Sequence, residues 1–369
     1  MSGSTLGKNI VISTWGESHG KALGVVIDGF PAGMELCEED IQKFLDRRKP
    51  GTSAATTQRK EDDLVDILSG VFEGRTTGTP ISLMVKNTSQ RSADYSDIAS
   101  YYRPGHADYG FDSKYGFRDY RGGGRSSGRE TIGRVASGAL CSKLLSQMGI
   151  SVSAYTKAIG DVEIDYEKFD ENAILSTPTA MPDVEADKRA MDLIMKCREN
   201  QDSIGGIIEC RIKGVPAGIG EPVFDKLDAL LARAVMSIGA VKAVEIGDGI
   251  KVARYNGSEN NDEFEISENG EISKKTNHSG GILGGMSDGS EIILRAYIKP
   301  TPSIARTQST INRSGENIDI NIHGRHDPVV VPRAVVVVES MCALALLDLM
   351  ISNMSARAEN IINFYTKKF

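Results

Sequence analysis

Gly29-Phe30-Pro31-Ala32-Gly33 returns almost unchanged as Gly214-Val215-Pro216-Ala217-Gly218. Each copy follows an apolar, strand-like run and precedes an amphipathic helical pattern. Further along, SGVFEGRTTGTPISLMVKNT (69–88) resembles GGILGGMSDGSEIILRAYIKPT (280–301), glycine turns that lead into a strand and then a lysine. One shared five-residue turn could be chance. Two matches in the same order point to an internal duplication. The chain therefore reads as one unit over residues 1–369, built from two similar α/β halves of about 9–150 and 205–350, not two independent domains.

Local periodicity fills in the halves. NIVIST (9–14) and ALGVVIDGF (22–30) are short, β-branched and bounded by glycines, the pattern of strands. Glu38 to Arg48 reads as a helix with Ile41, Phe44 and Leu45 on one face and three acids in its first turn. A polar loop (52–63), strand-like stretches (64–72, 81–86), a helix near 128–148, a strand (151–158), a loose acidic stretch (161–186) and a helix over 184–199 come next. The later half adds a helix over 223–236, with Phe224, Leu227, Leu230, Leu231 and Ala234 on its face, and an exposed hairpin or insert at 255–275. Residues 332–369 are helical by pattern. Asp348, set inside the apolar run 343–350, reads as facing solvent.

Composition bounds the class. The chain has 369 residues, 40% hydrophobic and 25% charged, ordinary for a soluble globular protein. No apolar run approaches the ~20 residues of a membrane span, and the N-terminus lacks a signal peptide's basic start and apolar centre. Cysteines 37, 141, 197, 210 and 342 are scattered with no C-x-x-C spacing, and read as reduced thiols of a cytoplasmic protein. The net charge of −7 disfavours nucleic acid as a partner. Yet Arg103 to Arg134 holds seven basic residues against four acidic ones, a local +3 that suits a small anionic ligand.

The centre of that island is RGGGRSSGRETIGR (121–134). Three consecutive glycines free the backbone, and Ser127-x-x-Glu130 has the form of a capping box opening the helix. A glycine loop feeding a helix N-terminus presents N–H groups and a positive dipole end to an anion. It is not a P-loop, because Gly128 is followed by Arg-Glu, and no G-x-G-x-x-G fits. A bare GGG could equally be a linker.

All five histidines lie in or beside glycine-rich turns: His19, His106, His278, His323 and His326. Only His323 and His326 approach a metal-ligand spacing, with Asp327 alone beside them, so no metal site is expected. Loop histidines beside arginines suit proton transfer to or from an anion near pH 7. Ser18 next to His19 lacks a G-x-S-x-G elbow. The glycine-rich run 277–285 permits close backbone approach to a flat ligand, and Lys299 to Ser303 supplies a lysine and hydroxyls at a strand end.

Together GESHG (16–20), RRKPG (47–51), RPGHAD (103–108), YRGGGRSSGRET (120–131), MSIGAVKAVEIGDG (236–249), NHSGGILGG (277–285), KPTPS (299–303) and GRHDP (324–328) resemble chorismate synthase, in that family's order from about residue 6 to 360. The resemblance implies an α/β layered fold, a β-α-β sandwich with internally duplicated halves and antiparallel-rich sheets flanked by helices, as a homotetramer. It implies a lyase that eliminates phosphate from 5-enolpyruvylshikimate-3-phosphate to give chorismate, the last step of the shikimate pathway, with reduced FMN required. By motif, His19 is the acid toward the departing phosphate, and His106 protonates or hydrogen-bonds the flavin. Ser18 and Ser127 lie close to both ligands, and Asp348 matches an acid near flavin N5, against the solvent-facing reading. Arg125, Ser126, Ser127, Gly239, Ala240, Gly284, Lys299, Pro300, Thr301, Pro302, Ser303 and Arg325 match FMN-contacting positions. Arg48, Arg103, Arg129 and Arg134 are candidates for the substrate anions, Arg48 also for NADP. Ala54 stands where many bacterial members carry arginine, which weakens the link to NADP. NADPH enters as an indirect reductant, or an external flavin reductase serves. Two other classes stay open on the residues alone: an RNA-binding arginine-glycine segment, and a phosphotransferase, which the failed P-loop disfavours.

Overall fold

A computed structural model describes residues 3–49, 51, 62–88, 97–268, 270–322 and 327–367. The first set of elements is β1 (Thr5–Leu6), β2 (Val11–Gly16), β3 (Ala22–Asp28), α1 (Glu38–Arg48), β4 (Val65–Ser69), β5 (Val71–Phe72), β6 (Arg75–Thr76), β7 (Ile81–Lys86), α2 (Asp108–Tyr115) and α3 (Thr131–Gln147). The chain continues through β8 (Ser151–Ile159), β9 (Val162–Glu163), α4 (Ala173–Ser176), α5 (Val184–Glu199), β10 (Gly206–Lys213), α6 (Leu227–Met236), β11 (Val241–Ile246) and α7 (Gly257–Asn260). It ends with β12 (Phe264–Ile266), β13 (Ile272–Lys274), β14 (Ile282–Leu283), β15 (Met286–Ser287), β16 (Ile292–Ile298), β17 (Thr307–Ile311), β18 (Asn317–Asn321), α8 (Val331–Asn353) and α9 (Ala358–Thr366).

Two five-stranded antiparallel sheets, β1-β2-β3-β7-β4 and β11-β16-β10-β8-β9, enclose a helical middle layer. Without the edge strands β1 and β9 they read β2-β3-β7-β4 and β8-β10-β16-β11, the same order of successive strands. α3 packs on β2, β3 and β7, α8 on β8 and β10, and α1 and α6 fill the corresponding places beside them. The repeated turns also make the same bonds. In the first, the Thr76 hydroxyl donates to the Pro31 carbonyl (2.7 Å) and accepts from the Met34 N–H (3.0 Å). In the second, the Ser287 hydroxyl donates to the Pro216 carbonyl (2.6 Å) and accepts from the Ile219 N–H (2.9 Å). A β-hydroxyl satisfies a buried carbonyl and a buried N–H at once, so threonine and serine serve equally. The strand matching β2 is β8, upstream of residue 205.

The two central helices meet where both are narrow. A Cβ on Gly138 of α3 would lie 2.2 Å from Ser340 Cβ of α8. The small residues in TIGRVASGAL thus set the helix spacing. α8 is 23 residues long and apolar enough to cross a membrane by length and composition, contrary to the expectation of no such run, but 83% of its apolar window is buried inside the sandwich. Glu339, a charged residue of this helix, is satisfied inward: it takes both Arg47 Nη atoms (2.7 and 2.9 Å) and the Ala154 N–H (3.1 Å).

One boundary differs from expectation. The helix placed at 223–236 begins at Leu227, and Phe224 is 89% exposed. The Glu221 N–H bonds back to the Asp225 carbonyl and the Leu227 N–H to the Gly285 carbonyl, so the preceding residues close a turn and the hairpin β14–β15 fixes the helix start.

Candidate active site

The glycine–arginine stretch folds back onto the first histidine turn. Gly122, Gly123 and Gly124 all have left-handed backbones (φ +63°, +83°, +53°). A Cβ on Gly122 would lie 2.3 Å from His19 Cε1 and 2.9 Å from Ser18 Oγ, so only glycine lets the loop lie against that turn. Buried Ser18 donates its hydroxyl to the Gly122 carbonyl (3.3 Å) and lies 3.2 Å from His19 Nδ1. With its single proton on Gly122, Ser18 can only accept from Nδ1–H, and Nε2 is then the ring nitrogen left to exchange a proton.

The charges sort themselves by pairing. Each of the four acids in 103–134 takes an arginine: Asp108 with Arg103, Asp112 with Arg118, Asp119 with Arg121, and Glu130 with Arg134. Arg125 is engaged by β2 instead, donating to the Gly16 carbonyl (3.0 Å) and to Thr14 Oγ1 (2.6 Å), which pins the glycine loop to the end of that strand. Ser126 closes its own turn on the Gly123 carbonyl (2.7 Å). Arg129 donates to Asn87 Oδ1 (3.0 Å), and Asn87 holds the Glu17 and Gly20 carbonyls (3.0 and 2.8 Å), so the histidine turn and the arginine share one bracket. Arg129 also meets Asp63 (3.2 Å), whose other oxygen takes Arg48 (2.5 Å). Arg48 is 1% exposed, and its Nε has no hydrogen-bond partner among the described residues. Burial and the Arg333 charge pull its pKa down while Asp63 opposes them.

The capping box forms only in part. Ser127 accepts from the Arg129 N–H at 3.4 Å, but Glu130 turns to Arg134 Nε (2.9 and 3.0 Å) rather than back to Ser127. The α-helix proper starts at Thr131, one short 3₁₀ turn later than expected.

The second histidine turn docks on the other half. Arg103 grips Asp108 with Nε and Nη2 (both 2.8 Å) and with its own N–H (3.0 Å), which fixes the turn between them. This pair is buried and fixes the turn that carries His106, just as Asp63 pairs with the buried Arg48. Lys299 donates to the Gly105 carbonyl (2.7 Å), and a Cβ on Gly105 would strike Pro302. His106 Nδ1 donates to the Pro104 carbonyl (3.0 Å), and Nε2 accepts from buried Ser303 (2.9 Å). Burial first and the Arg103 charge second push His106 down to about 4, so the ring is neutral near pH 7.

Lys299 to Ser303 runs beside Gly239 and Ala240. The Lys299 N–H bonds to the Ala240 carbonyl (2.9 Å), Ser203 donates to the Thr301 carbonyl (2.6 Å), and Pro300 lies against Gly205. Arg134 reaches Ser237 Oγ (2.6 Å), just before Gly239, and so joins the start of α3 to this loop rather than facing the Arg48–Arg129 group.

Two expected residues lie elsewhere. Asp348 is buried (8% exposed), against the solvent-facing reading, and its hydrogen-bond partners are backbone N–H groups, not a histidine. Its carboxylate accepts from the N–H groups of Lys8, Asn9 and Ile10 (3.0, 2.6 and 2.9 Å), at the far end of β2 from His19. The six residues of β2 put about 20 Å between those ends. Gly284 sits at the tip of β14–β15, at the opposite end of seven-residue β16 from Lys299, also about 20 Å away. Ala54, His323, Arg325 and His326 lie outside the described residues. Among the described residues no group of three or more potential metal ligands comes together.

Besides Asp63, Asp327 joins the arginine group. It bonds Arg333 (2.6 Å), and Arg333 donates to the Arg48 carbonyl (3.1 Å). In the sequence Asp327 stands out only as a neighbour of His326. Asp63 and Asn87 do not stand out at all, because neither sits in a glycine-rich motif.

The family model described as chorismate synthase matches residues 10–351. A chorismate synthase of Lachnoclostridium phytofermentans is 64% identical over 367 residues, covering 100% of both chains. One of Agathobacter rectalis is 61% identical at the same coverage. A solved structure titled "Crystal Structure of Chorismate Synthase" superposes with a TM-score of 0.76 at 31% identity, covering 98% of this chain and 97% of that one. On sequence over its whole length and on the shared fold, this chain belongs to the chorismate synthase family.

Proposed function

We propose that this chain converts 5-enolpyruvylshikimate-3-phosphate to chorismate by anti-1,4-elimination, losing phosphate and the C6 proton, with reduced FMN required and no net redox change. The observation that carries the proposal is the pairing of two unlike histidine turns, each docked on a separate polar segment. Arg48 and Arg129 are the cations for the phosphate-bearing ligand, and arginine forks suit phosphate and carboxylate.

His19, once protonated, delivers the proton on Nε2 to the departing phosphate, with Ser18 holding Nδ1. Neutral His106 orders the Lys299–Ser303 segment through Ser303 and offers an acceptor there. That segment fits a polar cofactor: Thr301 Oγ1 is buried with no hydrogen-bond partner among the described residues, and nothing lies within 4 Å of a Cβ on Gly239. Lys299, Thr301 and Ser303 would hold the flavin. When bound, reduced FMN supplies a transient electron that eases phosphate departure and a base for the C6 proton.

The family reading extends to a cytoplasmic homotetramer with a small-molecule substrate, no nucleic-acid or membrane partner, and reducing equivalents from NADPH or an external flavin reductase. Assembly is supported by α9, which has no buried residue and exposes Ile362, Phe364 and Tyr365. The two repeated strand sets support internal duplication within a single domain.

The test is anaerobic mixing with substrate, with and without reduced FMN. The proposal expects phosphate and chorismate in equal amounts only when reduced flavin is present. Phosphate release independent of flavin, or none with it, contradicts the proposal.

A further inference from the structure

Asp63 links two arginines that come from separate elements. Arg48 belongs to the last turn of α1 and Arg129 to the turn before α3. The Asp63 side chain is 1% exposed, with Oδ2 2.5 Å from Arg48 Nη2 and Oδ1 3.2 Å from Arg129 Nη2. Its backbone is left-handed (φ +46°), a region that Asp, Asn and Gly tolerate best. Gln42 secures that turn: Nε2 donates to the Asp62 and Asp63 carbonyls (3.4 and 3.3 Å), and Oε1 accepts from the Val65 N–H (3.2 Å).

Two guanidinium groups and one carboxylate leave a net charge of +1 in a buried setting. Removing the carboxylate would leave Arg48 facing Arg129 and Arg333 with less compensation, a costly arrangement away from water. We propose that Asp63 is a positioning residue for the anion site, holding Arg48 and Arg129 in the arrangement that receives a phosphate group. This rests on the reading of Arg48 and Arg129 as ligand-binding cations given above. A carboxylate that merely neutralised the arginines would compete with the anion, and its removal would tighten binding. The two roles therefore predict opposite signs.

The experiment measures inorganic phosphate binding by calorimetry for the wild type, Asp63→Asn and Asp63→Gly. Both replacements tolerate the left-handed backbone, so loss of affinity reports the carboxylate. Phosphate affinity should fall about tenfold in each, and the substrate KM should rise by more than kcat falls. In an Arg48→Gln background, Asp63→Asn should add less than about twofold, because coupled residues are not additive. Unchanged or tighter phosphate binding overturns the proposal, as do independent effects in the double variant or no phosphate binding by the wild type. If neither Asp63 variant folds, Gln42→Ala takes their place: weaker phosphate binding supports the proposal, and wild-type affinity overturns it. Absence of wild-type turnover with reduced FMN would sink the proposed reaction, whereas turnover with Asp63-independent phosphate binding would sink only this inference.

Discussion

The two histidine turns differ in what surrounds the ring. His19 lies against the glycine loop, bracketed by Ser18 and Gly122, with Arg129 and Asn87 securing the same turn. Nearby Asp119 is held below the usual carboxylate range against its burial, by Arg121 and in smaller part by His19. His106 instead hydrogen-bonds Pro104 and Ser303, lies within reach of the Arg103, Asp108 and Lys299 charges, and is kept neutral by burial first and Arg103 second. The first turn belongs with the arginine group of Arg48 and Arg129. The second belongs with the hydroxyl-rich segment 299–303. A histidine in a glycine-rich turn is thus no single chemical device; at His106 the neighbours fix the protonation state.

The contrast is most vulnerable at Gly122. A valine there would press on His19 and Ser18 and would need a left-handed backbone. Turnover should fall about a hundredfold, the scale expected when a reacting group is displaced by about an ångström. His106 and its segment should be unaffected. Near-wild-type turnover in Gly122→Val would mean that the loop does not place His19.

On the His106 side the expected effect is smaller. The ordinary histidine value of 6.5 is lowered to about 4 in His106, so the unfolded chain binds the proton more readily between those values. The associated stability is present above pH 6.5 and is lost as pH falls toward 4. It amounts to roughly 2 kcal/mol after allowing for partial exposure of the ring. Denaturant unfolding of wild type and His106→Gln at about pH 7 and about pH 4.5 should show a smaller acid loss in the variant. Equal acid losses would mean that His106 is not held neutral.

Much of the scaffold is legible in the chain. α1 and α5 follow from periodicity and their acidic first turns, and the repeated Gly-x-Pro-Ala-Gly turns mark two strand sets with matching order. Side-chain partners across the fold are less legible. Glu130 has the spacing of a capping box, but Arg134 one helical turn later is a better partner for it. Asp348 is polar in an apolar run for a reason no local pattern contains, since its partners are N–H groups some 340 residues away. Asp63 looks like one acid in a polar loop until α1 and α3 bring two arginines to it.

If both histidine turns serve one reaction in different roles, neither can be lost without cost. The decisive measurement is turnover with anaerobic reduced FMN for His19→Ala and His106→Ala, each checked for an intact fold by thermal unfolding. Each variant is expected to lose well over tenfold in turnover, more than about 1.4 kcal/mol of barrier. Turnover within about threefold of wild type in either variant, under ~1 kcal/mol, would contradict the shared role.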